Sequence, residues 1–265
     1  MQPLEKNRSN RNRLDRILVI DDDPVFLHLY RNLLKSRHQS YEVIECTDGY
    51  AALARMLERT PRLVLLDLSM PRFDGTGFLA IVKSKPELGS LPIFVISSDA
   101  DEAHTRIGNL ENVRWLSKPF RLKTLQHMLD SELGKSQTDC DDTSGERTGN
   151  DSHDFDPTRL DTYIGRDRVA QIAVAHQFCA LSAERLAVLE RLTQAPDRLG
   201  LRTIAHVLEG SAATLGARHL LATCRQLRVS LDGDDDRVRA EAIALAVALR
   251  QFTVALARHF NLSNF

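Results

Sequence analysis

Long apolar runs, clustered cysteines, a charge imbalance and glycine-rich nucleotide loops are all missing from this 265-residue sequence. No apolar run approaches the roughly 20 residues that span a bilayer, and the polar N-terminus lacks a signal-peptide core. A cytoplasmic protein without membrane insertion is expected. Cys46, Cys140, Cys179 and Cys224 are scattered with no C-x-x-C spacing, which excludes a disulfide framework and a structural metal knuckle and suits a reducing compartment. A formal net charge of -1 gives no electrostatic case for nucleic acid. Lys6, Arg8, Arg11 and Arg13 make residues 1–13 a basic arm, read as a solvated tail. Without a G-x-x-x-x-G-K-[ST] loop there is no ATP site, so neither a conventional kinase nor a hydrolase is expected.

What is present is a globular composition, 43% hydrophobic, in a chain long enough for two cores. Between Gly134 and Asp154 the only residue of apolar character is Cys140, so residues 134–154 have nothing to offset their ordering entropy and read as a disordered linker. Before it, short apolar runs alternate with amphipathic segments: Ile17–Ile20, Tyr41–Ile44, Leu63–Leu66, Ile93–Ile96 and Val113–Leu116. Strands apolar on both faces and separated by helices imply a five-stranded parallel sheet, covered on each side, in residues 14–133. Polar residues follow these runs: Asp21 and Asp22 the first immediately, Asp67 the third, Ser97 the fourth, Lys118 with Pro119 the fifth. A doubly wound sheet gathers such carboxyl-end residues at its switch point. Three carboxylates together repel unless a cation joins them, and all-oxygen ligands suit Mg²⁺.

Residues 155–265 read differently. Helical periodicity runs over about Arg168 to Gln194, Asp197 to Leu215, Ala217 to Leu231 and Asp236 to Phe260, with a short helix near Pro157 to Tyr163. Gly216 punctuates them, and Gly233 with Asp234 to Asp236 forms a turn and N-cap. Short connections make an antiparallel four-helix bundle, with Phe178, Leu186, Leu189, Leu220, Leu227 and Phe252 in its core. On a helical wheel Leu201, Ile204, Leu208, Ser211 and Leu215 share one face, while Arg202, His206, Glu209, Gly210 and Ala213 fall opposite. His206 therefore points away from the bundle core. Its neighbours one turn on are small enough to admit another protein's concave site.

The N-terminal half resembles the response-regulator receiver family over residues 14–133. The matching text is Ile17 to Pro24 with its acidic triplet, Leu66-Asp67-Leu68-Ser69-Met70-Pro71 with Asp74-Gly75, and Lys118-Pro119-Phe120. The resemblance implies a flavodoxin-like doubly wound fold, with Asp67 as phosphoacceptor. It implies Asp21, Asp22, Asp67 and the Ser69 carbonyl around Mg²⁺, Ser97 and Lys118 on the phosphoryl oxygens, and Trp115 at the aromatic switch position.

His206-Val207-Leu208-Glu209-Gly210-Ser211, followed by Gly216-Ala217, Cys224 and Leu227, resembles the histidine-containing phosphotransfer (HPt) domain. That implies His206 as the phosphorylated histidine and Arg202, Glu209, Gly210 and Ala213 as its face. Glu209 stands where that family usually has lysine, and Arg202, one turn before His206, is the expected compensating cation.

A phosphorelay protein follows from the two resemblances, with a sensor histidine kinase and a downstream response regulator as partners and no small-molecule substrate beyond phosphodonors. Asp67 and His206 are either consecutive stations in one chain or a switch and a separately served histidine. The alternative from another class is a receiver-regulated interaction module or kinase inhibitor, whose bundle is a docking surface with phosphotransfer impaired by Glu209.

Overall fold

The computed structural model describes residues 14–37, 40–70, 75–98, 104, 107–108, 110–134, 155–194 and 197–262. The basic arm and all of the expected linker except Gly134 lie outside the described residues, as do Asp74 and Cys140.

The N-terminal half is a parallel sheet of β1 Asp15–Ile20, β2 Tyr41–Cys46, β3 Leu63–Asp67, β4 Ile93–Ser97 and β5 Val113–Ser117, in the order β2-β1-β3-β4-β5. Helices α1 Pro24–Arg37, α2 Gly49–Glu58, α3 Gly75–Lys83 and α4 Leu122–Leu133 cover it. Each strand continues a residue or two past its apolar run at one end or the other, because the backbone ladder persists where the side chains turn polar. Asp67 still pairs with Ile96, and Ser97 with Ser117. The register Ile20↔Leu66 brings Asp21 and Asp67 level at the carboxyl edge. Chain order reverses between β1 and β3, so this edge is the switch point of the sheet.

Alternation sorts the strand residues into two cores. Leu18, Ile20, Val64, Leu66 and Val95 pack with Ala52 and Met56 of α2 and Phe78, Leu79 and Val82 of α3. Ile17, Val19, Leu65, Phe94 and Ile96 face α1 and α4, and that core runs on without a break into the C-terminal half. The composition of α1 accounts for this continuity. Val25, Phe26, Leu27, Leu29, Tyr30, Leu33 and Leu34 are all buried, which is wider than the single apolar stripe of a helix with one face in water.

The C-terminal half holds α5 Pro157–Tyr163, α6 Arg168–Gln194, α7 Arg198–Leu215, α8 Arg218–Ser230 and α9 Asp235–Phe260. Helix α6 packs on α9 and α7, and α8 lies between α7 and α9, forming a four-helix bundle with α5 against α7. Asp156, Asp197 and Asp234 cap α5, α7 and α9 by accepting from the first-turn amides. Gly216 ends α7 at φ 76°, a left-handed position, and a Cβ there would lie 2.3 Å from the Asp156 carbonyl oxygen. Of the expected core residues, Phe178, Leu189, Leu220, Leu227 and Phe252 are buried, and Leu186 packs at the margin. Helices α6 and α9 are long and apolar enough to cross a membrane by length and composition, yet they contribute Phe178, Leu189, Leu249 and Phe252 to the bundle core.

Candidate functional site

The loop after β1 and the end of β3 set the acidic side chains against the lysine that follows β5. Lys118 Nζ donates to Asp21 Oδ2 and to Asp67 Oδ2, each at 2.8 Å. Asp67 Oδ1 accepts from the Ser69 amide at 3.0 Å, and the Ser69 and Ser97 hydroxyl oxygens are 3.2 Å apart. Gly75 permits this packing, since a Cβ there would lie 2.3 Å from the Asp67 carbonyl oxygen. Burial pushes Asp22 up to about 8, with Asp21 and Asp67 adding repulsion. Asp21 is raised by burial too, but less, because Lys118 touches it. Burial pulls Lys118 down, and Asp21 and Asp67 more than reverse that, leaving it well above an ordinary lysine.

Asp22 Oδ2 is buried and has no hydrogen-bond partner among the described residues. An orphaned carboxylate oxygen beside two further carboxylates is a donor set that fits a hard divalent cation.

Across the cleft stands His206 of α7. Its ring nitrogen and single carboxylate oxygens of Asp22 and Asp67 all lie within 4.8 Å of one another. His206 is turned from the bundle core, as the helical wheel requires, but the sheet domain covers it and leaves it only half-exposed. Burial lowers its pKa; Asp67 opposes this, while Lys118 and Arg228 reinforce it.

A family model of the response regulator receiver domain matches residues 17–130, and a model of the Hpt domain matches residues 173–259. Protein PilG of Pseudomonas aeruginosa is 32% identical over 113 residues, 42% of this chain and 81% of PilG. The chain belongs to the response regulator receiver family and carries an Hpt domain after its receiver. Response regulator Rcp1 of Synechocystis is 32% identical over 121 residues, 43% of this chain and 82% of Rcp1. A crystal structure of the phosphorylated cyanobacterial phytochrome response regulator RcpA aligns at 25% identity over 47% of this chain and 98% of its own, with a TM-score of 0.42.

The receiver residues singled out in the sequence thus converge: Asp21, Asp22, Asp67, Ser69, Ser97 and Lys118 share one cleft. Trp115 lies apart on β5, half-buried, with its ring 5.1 Å from that of His104 and its Nε1 without a partner among the described residues. On the Hpt side, Glu209, Gly210 and Ala213 are partly covered beside His206, whereas Arg202 is exposed.

Arg202, expected as the cation that compensates for Glu209 beside His206, is directed elsewhere. Arg202 reaches Asp232 at 3.7 Å. Glu209 instead accepts from Arg225 Nε at 3.0 Å and Arg228 Nη1 at 2.7 Å, both on α8. The turn at Gly216 lays α8 along α7, so the compensating cations come from the next helix rather than from the same one.

The residues that join the domains carried no signal of that role in the sequence. Asp23, third of the acidic triplet, is buried, and its Oδ1 accepts from the Val25 amide and from Arg185 Nη2 of α6 at 2.7 Å. Its Oδ2 accepts from the Ser211 hydroxyl of α7. Phe26 carries Lys118 Nζ 4.1 Å from its ring centroid and turns its edge to Gly210. The width of the apolar surface on α1 was the one available clue that a second partner covers that helix.

Proposed function

We propose that this chain is a phosphorelay protein in which Asp67 accepts a phosphoryl group and exchanges it with His206 of the same molecule. The closeness of the His206 nitrogen to the Asp67 carboxylate, within 4.8 Å, is the observation that carries this reading. An attacking atom roughly 3–3.5 Å from phosphorus, plus one P–O bond, spans about 5 Å. At no more than 4.8 Å, the two groups already stand within that span.

In that exchange the lone pair of the neutral His206 ring forms the P–N bond as the bond from phosphorus to Asp67 Oδ breaks, and Asp67 recovers its negative charge. The depressed pKa of His206 keeps the imidazole unprotonated and nucleophilic at neutral pH. Lys118 holds charge on the transferring oxygens, and Ser97 adds its hydroxyl. Asp21, Asp22, Asp67 and the Ser69 carbonyl would hold Mg²⁺, which when bound neutralises the carboxylates and the phosphoryl group. Trp115 would respond as the aromatic switch.

The proposed units are a receiver over 14–133 and an Hpt domain over 155–265, joined by 134–154. Such a linker keeps the effective concentration of one domain at the other high. A sensor histidine kinase would supply phosphoryl to Asp67, a downstream response regulator would collect it from His206, and the setting is cytoplasmic.

Labelling the purified chain with a radioactive acyl phosphate tests the assignment. Wild type should carry both base-labile acyl phosphate and acid-labile phosphohistidine, His206→Ala only the former, and Asp67→Ala neither. Label on His206 in Asp67→Ala overturns the route. No phosphohistidine in wild type leaves the interaction-module reading.

A further inference from the structure

The acidic triplet holds one carboxylate more than the metal-binding pair accounts for. Asp21 contacts Lys118, and Asp22 presents its bare oxygen to the cleft, but Asp23 faces the other domain. It is 1% exposed, its cationic partner Arg185 is 8% exposed, and Ser211 is fully buried. Both oxygens of Asp23 are engaged by groups from two Hpt helices, α6 and α7. Arg185 Nη1 is also buried and has no partner among the described residues.

A charge pair so enclosed is a poor source of stability and a strong source of discrimination. The attraction between Asp23 and Arg185 is offset largely by the desolvation of both. A receiver without a carboxylate at this place would leave the guanidinium buried against nothing, and that penalty is not offset.

We infer that Asp23 is the recognition element through which the Hpt domain takes this receiver, with Arg185 and Ser211 as its receptor. The inference rests on the proposed exchange between Asp67 and His206 and names what selects the two faces. The partner that fits Arg185 and Ser211 is a receiver whose acid pair is followed directly by a third carboxylate and, three residues later, by an aromatic ring against Gly210. Asp23 and Arg185 are positioning residues, since neither touches the reacting atoms.

The test is a double-mutant cycle in the full chain with Asp23→Asn, Arg185→Gln and their combination. Asparagine keeps a side-chain oxygen for the Val25 amide at the start of α1, so the receiver retains its cap. Two readouts are taken: the rate of transfer from phosphorylated Asp67 to His206, and hydrogen–deuterium exchange on the domain opposite each substitution. That means α6 amides for Asp23→Asn and α1 amides for Arg185→Gln.

Each single variant should slow transfer and speed opposite-domain exchange roughly 30-fold or more, the ratio given by the lower end, about 2 kcal/mol, of what truncating a buried charge pair costs. The double variant should be no worse than either single. Ser211→Ala, which removes one hydroxyl from a helix, should shift both readouts in the same direction by severalfold. Single variants within about threefold of wild type, or a double variant equal to the product of the singles, overturn the inference. If wild type never labels His206 while the exchange cycle is still non-additive, the transfer reading fails and the recognition role stands. If transfer proceeds and the cycle is flat, the reverse holds.

Discussion

Phe26 of the receiver lies against Gly210 of the Hpt domain, so closely that a Cβ on Gly210 would sit 3.1 Å from Phe26 Cε2. Phe26 has little room to yield. Lys118 Nζ stands 4.1 Å from its ring centroid, and Tyr30 stacks with it at 5.9 Å. Gly210→Ala should therefore slow transfer to His206 severalfold, and Gly210→Leu should abolish it. The bundle itself should gain stability in Gly210→Ala, by roughly 0.5–1 kcal/mol, because alanine is the better helix former. Transfer kinetics and thermal unfolding measured on the same variant separate the two effects. Unimpaired transfer in Gly210→Leu contradicts the docking of these faces.

On the Hpt side of His206 stand Glu209 and the two arginines that hold it, Arg225 and Arg228, one carboxylate and two guanidinium groups. Their net charge equals that of the single lysine usual at position 209 in the family. Arg228→Ala should shorten the life of phosphorylated His206 by roughly two- to fivefold, the range that about 0.3–1 kcal/mol gives for solvent-screened charges. Arg202→Ala should leave it unchanged, since Arg202 is turned to Asp232. The decay of acid-labile label checks both. An equal loss in the two variants returns the compensating role to Arg202.

The sheet and its cleft were legible because parallel α/β topology obliges carboxyl-end residues to converge. Asp21, Asp22, Asp67, Ser97 and Lys118 each follow or end an apolar strand, and the order of the strands does the rest. Helix ends were equally legible where a residue forces them, as Gly216 and Asp234 do. The interface was not. Asp23 and Arg185 are 162 positions apart, and nothing local to either names the other. The same limit hid Arg225 and Arg228. Helical spacing finds partners within one helix, and so it pointed to Arg202, whereas the pairs with Glu209 depend on how α8 lies along α7.

Removing metal should destabilise the receiver in a pH-dependent way. Burial holds Asp22 at about 8 and raises Asp21, whereas carboxylates in the unfolded chain titrate near 4. Between about pH 4 and pH 8 these two carboxyls thus bind protons in the metal-free folded state that they do not bind in the unfolded chain, so their contribution to stability falls as pH rises through that window. A divalent cation takes the deprotonated carboxylates, and protons compete with it at lower pH. Saturating MgCl₂ should then raise the unfolding temperature more at pH 8 than at pH 6 by scanning calorimetry. Equal shifts at the two pH values contradict the assignment of Asp21 and Asp22 to the metal.

Whether phosphoryl passes between Asp67 and His206 within one molecule is tested most directly by the concentration dependence of that step. Wild-type chain labelled at Asp67 is diluted over a wide range, and the appearance of phosphohistidine is followed by its acid lability. A first-order rate that does not change with protein concentration is the predicted result, together with little transfer from labelled His206→Ala chains to Asp67→Ala chains. A rate that rises in proportion to concentration, with efficient transfer between those two variants, would contradict it.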